Sequence, residues 1–168
     1  MDQAHNGAEP GINHDPANEL EYNEIVPGLY VGTNLCCTTH FDQELVNMNI
    51  QADMSIEGER IAAPYGAQFF VWLPVQDKHA PSQQQLRFGV ESLEVWMEMG
   101  VNVYLHCQNG HGRGPTMAAA YLMKAMDLQP DEAIAFVKQR RPVIHLEDVQ
   151  VEALVNFRRL LDGIGISL

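Results

Sequence analysis

Residues 101–123 read VNVYLHCQNGHGRGPTMAAAYLM and combine three local patterns. The apolar run at 101–106 predicts a buried strand. A glycine-rich stretch follows, and Pro115 stands where a helix could start, since the next residues are strong helix formers. A strand that turns through glycines into a helix is typical of an α/β protein with a mainly parallel sheet, so this stretch decides the fold class.

The flanking sequence repeats this alternation of strand and helix patterns. Pro27-Gly28 predicts a turn, and Ser82 with Gln85 forms the pattern of a capping box. Strands are predicted at 29–31, 51–56, 68–75 and 101–106, and helices at 40–48 with Thr38 or Thr39 as cap, from Ser82 to Gly100, from Pro115, from Pro130 and at 147–162. We therefore expect one α/β domain with a mainly parallel central sheet of four to five strands flanked by helices. The domain is predicted to span 24–168, after a flexible acidic N-terminal tail at 1–23.

The composition narrows the classes of partner. The chain has 168 residues and a net charge of −12, so its surface as a whole disfavours binding to nucleic acid. No apolar run is long enough to cross a membrane, and no secretory signal is seen at the start. Three cysteines do not form a disulfide framework, which favours a reduced cytoplasmic protein. The oligomeric state is left open.

The loop after the predicted strand 101–106 has the chemistry of an anion site. Glycines allow successive amide groups to point into one concavity, and the start of the following helix adds further N–H donors. Arg113 can bind two oxygens of a phosphate through its planar guanidinium. These features favour the thiolate of Cys107, which would lie beneath the bound phosphorus as a nucleophile. The alternative for the cysteine alone is a small buried packing residue.

The segment His106-Cys107 followed by five residues and Arg113 resembles the HC-X5-R signature of the cysteine-dependent protein tyrosine phosphatases, dual-specificity branch. Weaker similarities extend over about residues 25–161, including LPVQDKHAP at 73–81. The resemblance implies that Cys107 is the nucleophile, that Arg113 binds phosphate and that Asp77 is the general acid. It also implies that the phosphate-binding loop is formed by Gln108, Asn109, Gly110, His111, Gly112 and Arg113. His106 and Thr116 are implied to support this loop.

The position of Asp77 in the sequence also favours a catalytic role, independently of the family resemblance. It follows the predicted strand 68–75, so it should lie at the same sheet edge as Cys107 and could give a proton to a leaving oxygen. The alternative is an ordinary exposed turn aspartate.

Two residues of the loop depart from the family pattern. Gly114 stands where the family usually has Ser or Thr, whose hydroxyl stabilises the departing thiolate, and Thr116 is not an obvious substitute. His111 could favour a doubly charged or polyphosphorylated substrate, although a neutral rim residue is the simpler interpretation. No metal ligands accompany the loop and no cofactor is expected.

Three further residues are interpreted as structural. Cys36 or Cys37 could form a protective disulfide with oxidised Cys107, but packing cysteines are the simpler interpretation. Gln150 is interpreted as a surface residue of the last helix, rather than as a group that orients water.

The resemblance implies a phosphomonoester hydrolase that acts through a phosphocysteine on phosphorylated protein. Two alternatives stay open at this point. One is a phosphatase of a non-protein substrate, such as a phosphoinositide, a phosphoglycan or an RNA end. The other is a slow or inactive pseudophosphatase that binds a phosphorylated partner, which Gly114 favours and the presence of Cys107, Arg113 and Asp77 disfavours.

Overall fold

A computed structural model describes residues 18–164 and contains one five-stranded sheet. The strands are β1 (Tyr22–Val26), β2 (Leu29–Gly32), β3 (Ile50–Glu57), β4 (Phe69–Val75) and β5 (Asn102–His106), in the order β1-β2-β5-β3-β4. Strands β2, β5, β3 and β4 run parallel to one another, and β1 pairs antiparallel with β2. The α/β class, the mainly parallel sheet and its size are confirmed.

The register of the sheet brings the segments after four strands to one edge. His106, the last residue of β5, lies between Gly32 of β2 and Ser55 of β3. Because parallel strands end at the same edge, the loops that follow β2, β3, β4 and β5 meet there. The central position of β5 places residue 107 in the middle of that edge.

The helices pack on the sheet and on one another. They are α1 (Gln43–Asn47), α2 (Gln83–Glu98), α3 (Arg113–Ala125), α4 (Pro130–Arg140) and α5 (Asp148–Leu161), with a 3₁₀ helix at Asn34–Cys37. The predicted capping box of α2 is confirmed, since Ser82 and Gln85 exchange side-chain-to-backbone hydrogen bonds. Helix α3 is buried from Arg113 to Met123, and its small alanines allow close contact with the neighbouring helices.

Three local predictions are corrected by the structure. The sequence did not predict β1, which begins at Tyr22 inside the expected lead-in; residues 1–17 of that lead-in lie outside the described part of the chain. The helix predicted at 40–48 begins only at Gln43, because the side chain of Asp42, rather than Thr38 or Thr39, accepts the capping bond from the amide of Glu44. Helix α3 begins at Arg113, two residues before Pro115.

Within residues 18–164, no helix combines the length and the apolar character that a membrane crossing needs.

Candidate active site

A polar pocket opens at the sheet edge where the four strands end. Its lining comes from the loops after β4 and β5, from the start of α3 and from the segment that leads into α5. The lining residues are Asp77, Lys78, Cys107, Gln108, Asn109, His111, Gly112, Arg113, His145, Glu147 and Gln150. The structure therefore brings Cys107, Arg113 and Asp77 into one pocket, as the sequence predicted.

The loop 107–112 carries the cysteine and is fixed by backbone contacts. Cys107 follows β5 directly and is only 3% exposed. Gly110 has a φ of +67°, and a Cβ at this position would lie 2.6 Å from the carbonyl oxygen of Gly32, so the close approach of the two chains requires glycine. The backbone N–H of Asn34 donates a hydrogen bond to the backbone carbonyl oxygen of Gln108 at 3.1 Å. The loop is thus held against the end of β2.

Arg141 holds the same loop from the other side. This arginine is fully buried, and it donates to the carbonyl oxygens of Gly110 at 2.8 Å and Asn109 at 3.2 Å. It also makes a hydrogen bond to Asn23 of β1 at 2.8 Å and an ion pair at 3.3 Å with Glu21, the residue just before β1. The C=O and N–H groups of one peptide unit point in opposite directions. Because Arg141 holds these carbonyls away from the pocket, the N–H groups of the same peptide units point toward it.

Arg113 is placed by an acidic partner that the sequence analysis missed. Glu59, in the segment after β3, accepts two hydrogen bonds from Nη1 of Arg113 at 2.7 and 3.0 Å, and the Val75 carbonyl accepts a third at 2.7 Å. Burial by itself would lower the pKa of Arg113, but the nearby sulfur of Cys107 and the carboxylate of Glu59 outweigh it and raise that pKa. The guanidinium therefore stays charged beside the thiol. Glu59 carries no sequence motif, so only its position after β3 could have indicated it.

Asp77 lies at the mouth of the pocket on the loop after β4. Its side chain is 62% exposed, and its carboxylate lies 3.4 Å from Nη2 of Arg113. The backbone of this loop is held at two points: the Asp77 amide donates to Glu59, and Gln150 Nε2 donates to the carbonyl of His79. An exposed carboxyl on an anchored loop is able to reach the oxygen of a bound ester.

Gln150 was wrongly interpreted as a surface residue. It is 1% exposed, lines the pocket and forms a capping box with Glu147 at the start of α5. The spacing of Glu147 and Gln150 was the available signal, because residues three apart around a helix start often cap each other.

Gly114 and Thr116 define what surrounds the sulfur on the helix side. A Cβ built on Gly114 would lie 3.7 Å from Sγ of Cys107, which is an ordinary contact. The Thr116 hydroxyl donates to the Gly112 carbonyl at 2.8 Å. Thr116 therefore fixes the start of α3, and its hydroxyl proton is directed at a carbonyl and not at the sulfur.

Behind the pocket, His106 belongs to a fully buried cluster that we call the rear cluster, formed by Cys36, Cys37, Asp53 and His106. Nε2 of His106 lies 3.1 Å from Oδ1 of Asp53 and 3.4 Å from the sulfur of Cys37. Burial alone would lower the pKa of His106, but the carboxylate of Asp53 outweighs it and holds that pKa well above its usual value. The sequence did not predict this cluster, and its cysteines are free thiols.

Comparisons with known proteins agree with this geometry. Residues 29–160 match the family described as dual specificity phosphatase, catalytic domain. Rat dual specificity protein phosphatase 5 is 31% identical over 122 residues, which is 72% of this chain and 31% of that protein. The chain therefore spans about a third of the length of the curated relatives it matches first.

Two solved structures show the same fold. The crystal structure of PTPMT1 in complex with PI(5)P has a TM-score of 0.73 at 23% identity, covering 84% of this chain and 97% of that one. The structure of human DUSP28 has a TM-score of 0.75 at 18% identity, covering 84% and 95%. From the family match and the pocket at the sheet edge, we conclude that this chain belongs to the dual specificity phosphatase catalytic-domain family, the cysteine-dependent phosphatases of the protein-tyrosine-phosphatase type.

Proposed function

We propose that this domain hydrolyses phosphomonoesters on tyrosine, serine and threonine side chains of proteins through a phosphocysteine intermediate. The observation that carries the proposal is the position of Cys107 in a pocket formed by its own loop and Arg113. Backbone amides and a fixed arginine are suited to the three non-bridging oxygens of a phosphoryl group, whose charge spreads in the transition state. The free thiols are consistent with a reducing compartment such as the cytoplasm.

The first step transfers the phosphoryl group to the protein. The Cys107 thiolate attacks phosphorus, the bond from phosphorus to the ester oxygen breaks, and Asp77 gives its proton to that oxygen. Arg113 binds two phosphoryl oxygens through its Nε and Nη2 edge, while Nη1 stays on Glu59.

The second step releases phosphate. Asp77, now ionised, takes a proton from water as the water oxygen bonds to phosphorus, and the bond from sulfur to phosphorus breaks. Cys107 leaves as a thiolate, so donors near its sulfur set the rate of this step. No step uses a metal ion, and added Mg²⁺ or Mn²⁺ should not raise the rate.

A second candidate substrate is a phosphorylated lipid headgroup. His111 and His145 both line the pocket, with ring centroids 5.3 Å apart, and two imidazoles there suit a substrate that carries more than one phosphate. One relative, human phosphatidylglycerophosphatase and protein-tyrosine phosphatase 1, is 33% identical over 79 residues, which cover 47% of this chain and 39% of that protein. We rank this candidate second because the longer match is to dual specificity protein phosphatase 5.

The test is hydrolysis of a substrate panel by the wild type and by Cys107→Ser. We expect release of phosphate from an aryl phosphate and from phosphotyrosine and phosphothreonine peptides, with vanadate as inhibitor. Faster release from phosphoinositide vesicles than from every peptide would replace the protein substrate by the lipid one.

The variant Cys107→Ser separates catalysis from binding. A serine hydroxyl is a far weaker nucleophile, so hydrolysis should fall to the level of buffer, while the amides and Arg113 still bind phosphate. Isothermal titration with vanadate or phosphate measures the binding that remains. A wild type that binds these anions and turns over nothing would establish a pseudophosphatase, and hydrolysis that survives in Cys107→Ser would exclude the phosphocysteine.

A further inference from the structure

We propose that the rear cluster, formed by Cys36, Cys37, Asp53 and His106, binds one Zn²⁺ ion directly behind the catalytic loop. The ligand atoms of the four side chains all lie within 4.8 Å of one another, and all four residues are buried. They come from three places in the fold: the 3₁₀ helix after β2, the middle of β3 and the end of β5. The proposal does not depend on the proposed substrate.

The set of donors is the one that zinc prefers. Structural zinc sites are closed and tetrahedral, and they use cysteine sulfur, histidine nitrogen and carboxylate oxygen. The rear cluster offers two sulfurs, one imidazole Nε2 and one carboxylate, which gives four ligands without water. Each thiol releases its proton to solvent as its sulfur binds the metal. His106, which the carboxylate of Asp53 keeps protonated in the absence of metal, also releases its Nε2 proton and binds as the neutral imidazole.

An independent observation comes from Asp53. This residue is 0% exposed, and its Oδ2 has no hydrogen-bond partner among the described residues. Its Oδ1 forms an ion pair with Nε2 of His106 at 3.1 Å. Burying a carboxylate oxygen that accepts no hydrogen bond is costly, and coordination of this carboxylate to a cation between it, His106 and the sulfurs would remove that cost.

The spacing of the donors needs only a small adjustment. The sulfurs of Cys36 and Cys37 are 2.6 Å apart, whereas two thiolates on a tetrahedral zinc with bonds of ~2.3 Å stand about 3.8 Å apart. The pair would therefore have to separate by about 1.2 Å to bind one zinc ion. The 3.4 Å between the Cys37 sulfur and Nε2 of His106 already matches the distance between two ligands of one zinc ion.

The position gives the metal a structural role beside catalysis. Residue 106 immediately precedes the nucleophile, so a metal held by His106 would join the base of the catalytic loop to β3 and to the segment after β2. Such a link stabilises the folded state, because the metal binds the assembled ligands more tightly than it binds the same residues in the unfolded chain.

The experiment titrates the untagged, reduced Cys107→Ser protein with Co²⁺ after removal of bound metal by a chelator. This background removes the catalytic thiol, which could itself bind metal. We expect one equivalent of Co²⁺ to bind with the absorption of thiolate-to-cobalt charge transfer and of tetrahedral cobalt, and one equivalent of Zn²⁺ to displace it. At Zn²⁺ about a hundredfold above its dissociation constant, the melting temperature should rise by about 5–10 °C.

Variants in the same background assign the ligands. Cys37→Ser should weaken the charge-transfer band and Asp53→Asn should lower the metal affinity, whereas the matched control His40→Asn, an exposed histidine, should change neither. Circular dichroism reports whether each variant folds. If none of them does, the titration of the parent protein still decides.

Three results would overturn the proposal. The first is the absence of a thiolate-to-cobalt band in folded, reduced protein. The second is an unchanged band and affinity in folded Cys37→Ser and Asp53→Asn. The third is the loss of two hydrogens from the mass of the purified Cys107→Ser protein together with no titratable thiol after denaturation, which would show Cys36 and Cys37 joined in a disulfide.

Discussion

The two sides of the dipeptide His106-Cys107 differ in how their polar groups are satisfied. On the pocket side, Arg113 and Arg141 each donate to carbonyl or carboxylate oxygens at 2.7–3.2 Å. On the rear side, the buried carboxylate of Asp53 has an ion pair with His106 through Oδ1, while Oδ2 accepts no hydrogen bond from the described residues. The two arginines on the pocket side are thus fixed before substrate arrives, which is the property that makes fixed donors effective in catalysis. The rear side keeps one buried carboxylate oxygen that a bound cation would satisfy.

Asp77→Asn is the strongest test of the pocket side after the loss of the nucleophile. Without a proton donor, hydrolysis of phenyl or alkyl phosphate should slow by roughly 10²–10⁴-fold, the usual contribution of a positioned general acid. A substrate with a very good leaving group needs less protonation and should slow less.

Steady-state rates on the two substrates make this comparison, with Asp148→Asn, an exposed aspartate of α5, as control. Equal losses on both substrates would show that Asp77 is not the proton donor, and His79 would be the next residue to replace.

Gly114→Ser sharpens the contrast by adding a donor where the pocket side lacks one. A serine Cβ fits 3.7 Å from the Cys107 sulfur, so its hydroxyl can reach the departing thiolate. One hydrogen bond to a charged group contributes roughly 1.5–3 kcal/mol, which is about one to two powers of ten in the rate of phosphocysteine breakdown.

Rapid mixing should show, for the wild type, a burst of leaving group close to one per site, because breakdown limits turnover. Gly114→Ser should raise the steady-state rate and shrink the burst. A linear time course in the wild type together with an unchanged rate in the variant would mean that another group already stabilises the sulfur.

Arg141→Lys tests whether the loop carbonyls need their buried anchor. An ammonium cannot reproduce the fork that contacts both Gly110 and Asn109, so a carbonyl is left without its partner at a cost of about 1–3 kcal/mol. Denaturant unfolding measures this loss, and vanadate affinity should weaken because the loop amides lose their alignment.

Arg140→Lys is the matched control. Arg140 lies over the Phe136 ring outside the pocket, and vanadate affinity should be unchanged in this variant. An Arg141→Lys protein that loses stability but binds vanadate as tightly as the wild type would limit Arg141 to a role in folding.

Glu59→Gln should produce the smallest effect, and that effect should depend on pH. Burial would raise the pKa of Glu59, but its hydrogen bonds from Arg113 outweigh burial and lower it. A carboxyl with a lowered pKa stabilises the fold fully above its unfolded value near 4.3, and this contribution is lost as the pH falls through the lowered folded value. Because the side chain is 39% exposed, the contribution should stay within about 1 kcal/mol.

The measurement is the free energy of unfolding of both proteins between pH 7 and pH 3. The wild type should be the more stable at pH 7, and the difference should disappear at the acid end. Glu152→Gln, at an exposed position of α5, is the control. A difference that stays constant down to pH 3 would show that the ionised form of Glu59 is not what stabilises Arg113.

Features fixed by neighbouring residues could be predicted from the sequence. The strand, loop and helix around Cys107 and the capping box at Ser82 are local patterns, and both occur in the structure. Strand β1 was missed because Ile25 is the one buried residue of this edge strand, so its sequence lacks the apolar alternation that predicts a strand. Asp42 was missed as a helix cap because Thr38 and Thr39 are equally good candidates when only their type is known.

The site residues that were missed depend on contacts between distant segments. Glu59 reaches Arg113 across 54 positions, and Arg141 reaches Gly110 across 31. Asp53 was part of a strand predicted as buried, but only the pairing of β3 with β5 brings it to His106. No local spacing encodes such meetings, because they arise from the order of the strands in the sheet.

The contacts of Arg141 with Glu21 and Asn23 have a practical consequence for shortening this protein. A fragment that starts at residue 24 keeps every side chain that lines the pocket. It nevertheless removes Asn23 of β1 and Glu21 just before it, which are both partners of the Arg141 guanidinium that binds the loop carbonyls. The N-terminal segment therefore supports the phosphate-binding loop through Arg141, and a shortened protein should begin before Glu21.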